Sequence, residues 1–92
     1  MKIIQVSKWI LPFGYGITLG NWLLVRKDSS NLEYVIEHEK VHFRQWNEEG
    51  SYLKWLIKYI NYLIKYGYYE NPYEVEARVM ATSILESRNR NI

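Results

Sequence analysis

The amino-acid sequence predicts an α+β domain: a small N-terminal β-ribbon over about residues 2–27, packed on three α-helices. Two observations carry that assignment. Residues 2–27 are β-rich, whereas from residue 30 the hydrophobic pattern takes on a helical period. Helix-capping and helix-stopping residues then recur at Ser30 with Glu33, at Gly50, at Gly67 and at Asn71-Pro72. With 92 residues there is room for one hydrophobic core, so residues 1–92 form a single domain.

Ile3-Ile4-Gln5-Val6 is the first strand, and Pro12 keeps it from continuing as a central one. Tyr15–Leu19 and Trp22–Arg26 flank Gly20-Asn21 as a hairpin, with Gly20 supplying the positive φ of a type II′ turn. Ser30 and Glu33 make a capping box for a motif helix over about 31–49, and Gly50 suits the left-handed position after it. Helix two covers about 52–66. Its polar residues Lys54, Lys58, Asn61 and Lys65 recur at spacings of four, three and four, one stripe on an otherwise apolar cylinder. In so small a protein that apolar area reads as a central core helix; lying on an anionic membrane surface is the alternative. Gly67 ends it. Helix three runs over about 72–87, with Asn71 as N-cap, Pro72 at the first position and Glu74 at the third.

Composition excludes several classes of function. The chain is 48% hydrophobic and 24% charged, as a folded domain requires. A net charge of +2 is too small for a nucleic-acid binder without a concentrated basic patch. There is no Cys, which removes disulfides, thiolate metal sites and cysteine nucleophiles together. No stretch reaches the roughly 20 apolar residues of a membrane span, and no signal-peptide pattern opens the chain, so the expectation is a soluble cytoplasmic protein.

The informative string is His38-Glu39-Lys40-Val41-His42, an H-E-x-x-H pattern inside the motif helix. Residues four apart lie about 6 Å along one helix face, so both imidazoles reach a single metal ion. Glu39, on the neighbouring edge, is positioned to take a proton from an activated water. Two histidines do not close a site. With no third His and no Cys, the remaining ligand must come from the one Asp or nine Glu. Helix two folded back on helix one runs about 22 Å and sets the start of helix three level with residues 35–38. Glu74 then lies near His38. Glu76 is about 200° further round, so only one of the two faces the metal. Glu74 also has an ordinary role as a capping-box residue and as an i,i+4 partner of Arg78.

These residues resemble a family. His38-Glu39-Lys40-Val41-His42, a helix, and then Asn71-Pro72-Tyr73-Glu74-Val75-Glu76-Ala77 look like the gluzincin zinc metallopeptidases, including small peptidase-like proteins of bacteria and phages. The resemblance covers residues 30–81. It implies Zn2+ held by His38, His42 and Glu74, the last through an E-x-x-A pattern, with Glu39 as general base for hydrolysis of peptide bonds. Arg78 stands where many relatives carry an acidic residue that hydrogen-bonds a metal-bound His.

Further expectations attach to that site. The many aromatic rings read first as core packing; Tyr68, Tyr69 and Tyr73 are the candidates to stabilise an oxyanion, while Arg44 and Gln45 are surface or supporting groups. An extended peptide or protein substrate adds to the hairpin edge near 22–26. The polar segment 88–92 reads as the frayed end of helix three; folding over the cleft, which would make the protein latent, is the alternative. The rival to an enzyme is a peptidase-like module that binds metal and a protein partner without turnover.

Overall fold

The computed structural model describes residues 2–11, 15–29 and 31–90. Three strands, β1 (Lys2–Val6), β2 (Gly16–Leu19) and β3 (Trp22–Arg26), are followed by three helices, α1 (Leu32–Glu49), α2 (Tyr52–Glu70) and α3 (Pro72–Arg90). The architecture is α+β, as predicted.

The β2–β3 hairpin forms with Leu19 opposite Trp22. Gly20 has φ +59°, and among the described residues only glycines have positive φ, so Asn21 does not. That combination belongs to a II′ turn and excludes I′. The ribbon is in fact a sheet. β1 joins β3 in parallel, giving the order β1-β3-β2, so β3 is central and the free edge beside the helices belongs to β2. The expected substrate edge at 22–26 is therefore wrong: both sides of that strand are already paired. Pro12 lies outside the described residues.

One face of the sheet turns Leu23, Val25 and Thr18 into the interior, where all three are buried. This reverses the hydrophobic pattern of β2, whose Ile17 and Leu19 face outward and stay exposed. The reason lies on α1: the side chain that meets β2 there is the carboxylate of Glu39, for which Thr18 is a hydrogen-bond donor. Gly16 permits the approach. A Cβ at that position would lie 2.7 Å from Val35 Cγ1 and 3.1 Å from Glu39 Cγ.

Asn31, one residue beyond the expected Ser30, caps α1 by accepting a hydrogen bond from the Tyr34 backbone N–H. Glu33 thus sits at the second helical position, and the capping box does not form around it; Ser30 lies outside the described residues. Gly50 ends α1 in the left-handed conformation, φ +94°. Ser51 caps α2 through Lys54 N–H. Gly67 interrupts α2 with φ +80°, ψ 175°, leaving one short turn to Glu70. Asn71 is fully buried; its side chain accepts from Tyr73 N–H and donates to the Tyr59 carbonyl, tying the start of α3 to α2.

α1 is the hub. It packs against β2, β3, α2 and α3. α3 lies against it through Ala77 and Ala81, both fully buried, whose small side chains bring the two helices close. α2 is not the core helix expected. Only Trp55 is buried on it, while Leu53, Ile57, Ile60 and Ile64 are exposed. The interior it would have filled is already occupied by the sheet on one side of α1 and by α3 on the other. The C-terminal segment differs too. Residues 88–90 are helical, and Arg88 pairs with Glu33 and Glu37 on α1 at 2.7 and 2.9 Å, so they do not form a flap over a cleft.

Leu23→Ala empties a fully enclosed position under α1. It should cost about 2–5 kcal/mol, read as a lower urea midpoint. Ile64→Ala, on the outer face of α2, should change stability by no more than about 0.5 kcal/mol. Equal effects would contradict this description of the core.

Candidate metal centre

The interior beside β2 is polar. Glu37, Glu39, His42, Gln45, Thr18, Asn71 and Glu74 are all buried, so each needs a partner. Most of those partners belong to one network.

His38 and His42, one helical turn apart on α1, direct their Nε2 atoms at the same oxygen, Glu74 Oε1, at 2.8 and 3.0 Å. Tyr59 from α2 donates a short hydrogen bond to the other oxygen, Oε2. One ligand atom from each of His38, His42 and Glu74 falls within 4.8 Å of the others. Both oxygens of Glu74 are thus engaged away from the helix start, and neither the capping-box role nor the pairing with Arg78 is realised. Arg78 instead donates to the Tyr69 carbonyl and lies over the Tyr69 ring. Glu76 faces elsewhere, pairing with Arg44 at 2.9 Å and with the Gln45 amide at 2.8 Å. Of the two glutamates considered, the fold brings Glu74 to the histidines.

Gln45 sets the tautomer of His42. Its Oε1 accepts from Trp55 Nε1–H at 3.1 Å, and its amide nitrogen donates to the Tyr73 carbonyl and Glu76. An oxygen held that way can only accept, so His42 Nδ1, 2.9 Å away, carries a proton and donates it. Gln45 thereby fixes the orientation of the His42 ring. His38 Nδ1 is buried and has no hydrogen-bond partner among the described residues.

The electrostatics favour a positive charge at the centre. Burial opposes charge on Glu74, but hydrogen bonds from His38, His42 and Tyr59 outweigh it and hold the carboxyl well below the usual range. Burial likewise opposes a charged His42, yet the hydrogen bond to Glu74 and the charges of Glu39 and Glu74 lift its pKa above the ordinary imidazole value. Glu39 moves the other way: burial pushes it up, and His42, Thr18 and His38 only partly offset that. Tyr59 is raised by burial and then by Glu74, so its phenol stays protonated as a donor.

A metal ion fits this donor set. With Nδ1 of His42 protonated, Nε2 faces a carboxylate and needs a positive charge there, which a proton on the ring or a metal ion between the two supplies. Two imidazoles and one carboxylate are an established zinc donor set. Tetrahedral zinc bonds of about 2.0–2.1 Å put donor atoms about 3.3 Å apart, within roughly half an ångström of the two separations found here.

Glu39 stands beside the three. Thr18 Oγ1 lies 2.8 Å from Glu39 Oε2 and 3.0 Å from its backbone oxygen, and the single hydroxyl proton serves one of them at a time. Glu39, His38, His42 and Glu74 all line a cavity of 620 Å³, bounded on one side by β2 and on others by Tyr34, Tyr59 and Tyr68. Of the three tyrosines expected near the site, only Tyr68 borders this cavity. Tyr69 is exposed, and the Tyr73 hydroxyl donates to Glu49 at 3.0 Å while its ring stacks on Trp55.

Thr18 and Tyr59 were not among the expected site residues. Tyr59 carries a sequence signal, since it lies four residues after Trp55 on the same apolar face of α2. Thr18 carries none by itself, because its burial depends on which carboxylate it meets. No protein-family model, curated protein or solved structure matches the chain.

Gln45→Met keeps the volume but removes the acceptor of His42 and Trp55 and the donor to Tyr73. Each buried group left unpaired should cost roughly 1–3 kcal/mol. The urea midpoint of metal-free protein should fall accordingly; an unchanged midpoint would show that Gln45 does not hold the histidine.

Proposed function

We propose that this chain is a zinc-dependent peptidase of the gluzincin type. One observation carries the reading: the histidines of H-E-x-x-H converge with a glutamate some three dozen residues downstream, with the motif's Glu39 in the same cavity. His38, His42 and Glu74 would hold the ion. Zinc bound there supplies the Lewis acidity that polarises a carbonyl and acidifies water.

The chain's own groups account for the remaining steps. Glu39 takes a proton from water entering the cavity and passes it to the departing amine, a task suited to a carboxylate whose pKa burial has raised. Thr18 keeps that carboxylate aimed and can relax its hydrogen bond to the backbone oxygen as the charge on Glu39 changes. Tyr59 holds Glu74 from behind and fixes the orientation of both carboxylate oxygens. Tyr68, on the cavity wall, is the tyrosine suited to receive negative charge developing on a substrate oxygen. An extended peptide would align along the free edge of β2. The Tyr52 hydroxyl already donates to the Thr18 carbonyl, so the open part of that edge is at Gly16.

Three measurements test this reading. Protein purified without a metal-binding tag should contain close to one equivalent of zinc; none would remove the proposal. Glu39→Gln should keep the zinc while peptide hydrolysis falls by about a hundredfold or more. A parent that binds zinc but cleaves nothing across a broad peptide library would point to the metal-binding module instead. Glu74→Gln should weaken zinc at least about tenfold, whereas Glu76→Gln, outside the cluster, should leave it unchanged. Reversal of those two titrations would move the site.

A further inference from the structure

α2 turns an apolar ridge away from the protein. Leu53, Ile57, Ile60 and Ile64, spaced four, three and four, form a single row, and they are 65%, 53%, 45% and 80% exposed. The opposite face is the one that works inside: Trp55 packs in the interior and Tyr59 grips Glu74. The ridge is therefore not a core surface slightly uncovered. It is the outer side of a helix whose inner side is already used.

Its charge is one-sided. Lys54, Lys58 and Lys65 each follow a ridge residue, about 100° round the helix, and make a basic flank with Asn61 as its one uncharged position. Lys58 is tied to Glu49 at 2.9 Å, which leaves Lys54 and Lys65 as the outward charges. From Ser51 to Tyr69 the sequence has no acidic residue. At the far end the exposed rings of Tyr66, Tyr68 and Tyr69 cluster around the break at Gly67. Among the described residues no helix is long and apolar enough to cross a membrane.

We propose that α2 docks in the plane of an anionic lipid surface. Leu53, Ile57, Ile60 and Ile64 enter the headgroup boundary, and Lys54 and Lys65 meet the lipid charges. An apolar ridge with a basic flank and terminal tyrosines has the chemistry of an interfacial helix. A second copy of the chain fits less well. An antiparallel two-fold pairing of the ridges sets both lysine flanks on the same side, where they repel.

The test uses the full chain with vesicles of phosphatidylcholine alone and of phosphatidylcholine with phosphatidylserine, read by flotation. Binding should be at least tenfold stronger to the serine-containing vesicles and should fall as salt is raised. Lys54→Gln with Lys65→Gln should remove that preference, a loss of roughly twenty-five-fold at about fivefold for each lysine. Ile57→Glu with Ile64→Glu should abolish binding to both kinds of vesicle. Circular dichroism and the urea midpoint check that the variants fold, and the lysine pair, being exposed and polar, decides the matter if the isoleucine pair does not. Failure to bind either vesicle, or equal binding to both, overturns the proposal. So does a dimer in sedimentation equilibrium that Ile57→Glu with Ile64→Glu dissociates without any vesicle binding, which assigns the ridge to a second copy.

Discussion

The carboxylate of Glu74 is the point on which the helical part of the protein depends. Oε1 is shared by two histidines of α1 and Oε2 is held by Tyr59 of α2, while the residue itself opens α3. A single buried anion thus cross-links three helices. Removing it would leave two largely buried imidazoles and a phenol without their acceptor, and such orphaned groups are costly. The rest of the network is arranged around the same demand. Gln45 anchors His42 and reaches α3 through the Tyr73 carbonyl, and Asn71 reaches α2 through the Tyr59 carbonyl.

Such an interior is unusual for so short a chain. Among the described residues the buried apolar ones are mainly small or medium in size, namely Val6, Leu23, Val25, Val41, Ala77 and Ala81, with Trp55 the one large ring. Hydrophobic burial from that set is modest, and a comparable number of buried side chains are polar. Specificity of the fold accordingly rests on hydrogen bonds that cross between elements, as where Trp46 donates to the Gly20 carbonyl and Tyr52 to that of Thr18. The same economy exposes a large part of α2. There is not enough interior to cover both faces of a third helix.

What the sequence reveals and what it conceals follow from how local each determinant is. The hairpin, the stops at Gly50 and Gly67, and the start of α3 at Asn71-Pro72 depend on backbone preferences of neighbouring residues, and all are legible. The meeting of His38, His42 and Glu74 was also within reach, because helix lengths and an antiparallel return fix levels along an axis. The parallel pairing of β1 with β3 was not, since it depends on a connection spanning residues 7–21. Thr18 was hidden by a pattern in which Ile17 and Leu19 look like the inward pair. The outward ridge of α2 was misread because an apolar helix face carries no mark of what it will meet. The displaced cap at Asn31 is a contest between adjacent residues of similar capping strength.

Ala77 and Ala81 give the site a mechanical gauge. Both are fully enclosed between α3 and α1, so they set the distance at which Glu74 stands from the two histidines. A larger side chain at either position would wedge the helices apart and draw the carboxylate off its partners, though it would never touch them. A descendant of this chain released from keeping the three groups together would be free to fill the space with leucine or valine. Loss of the two alanines would then record the loss of the site even where every polar residue remained.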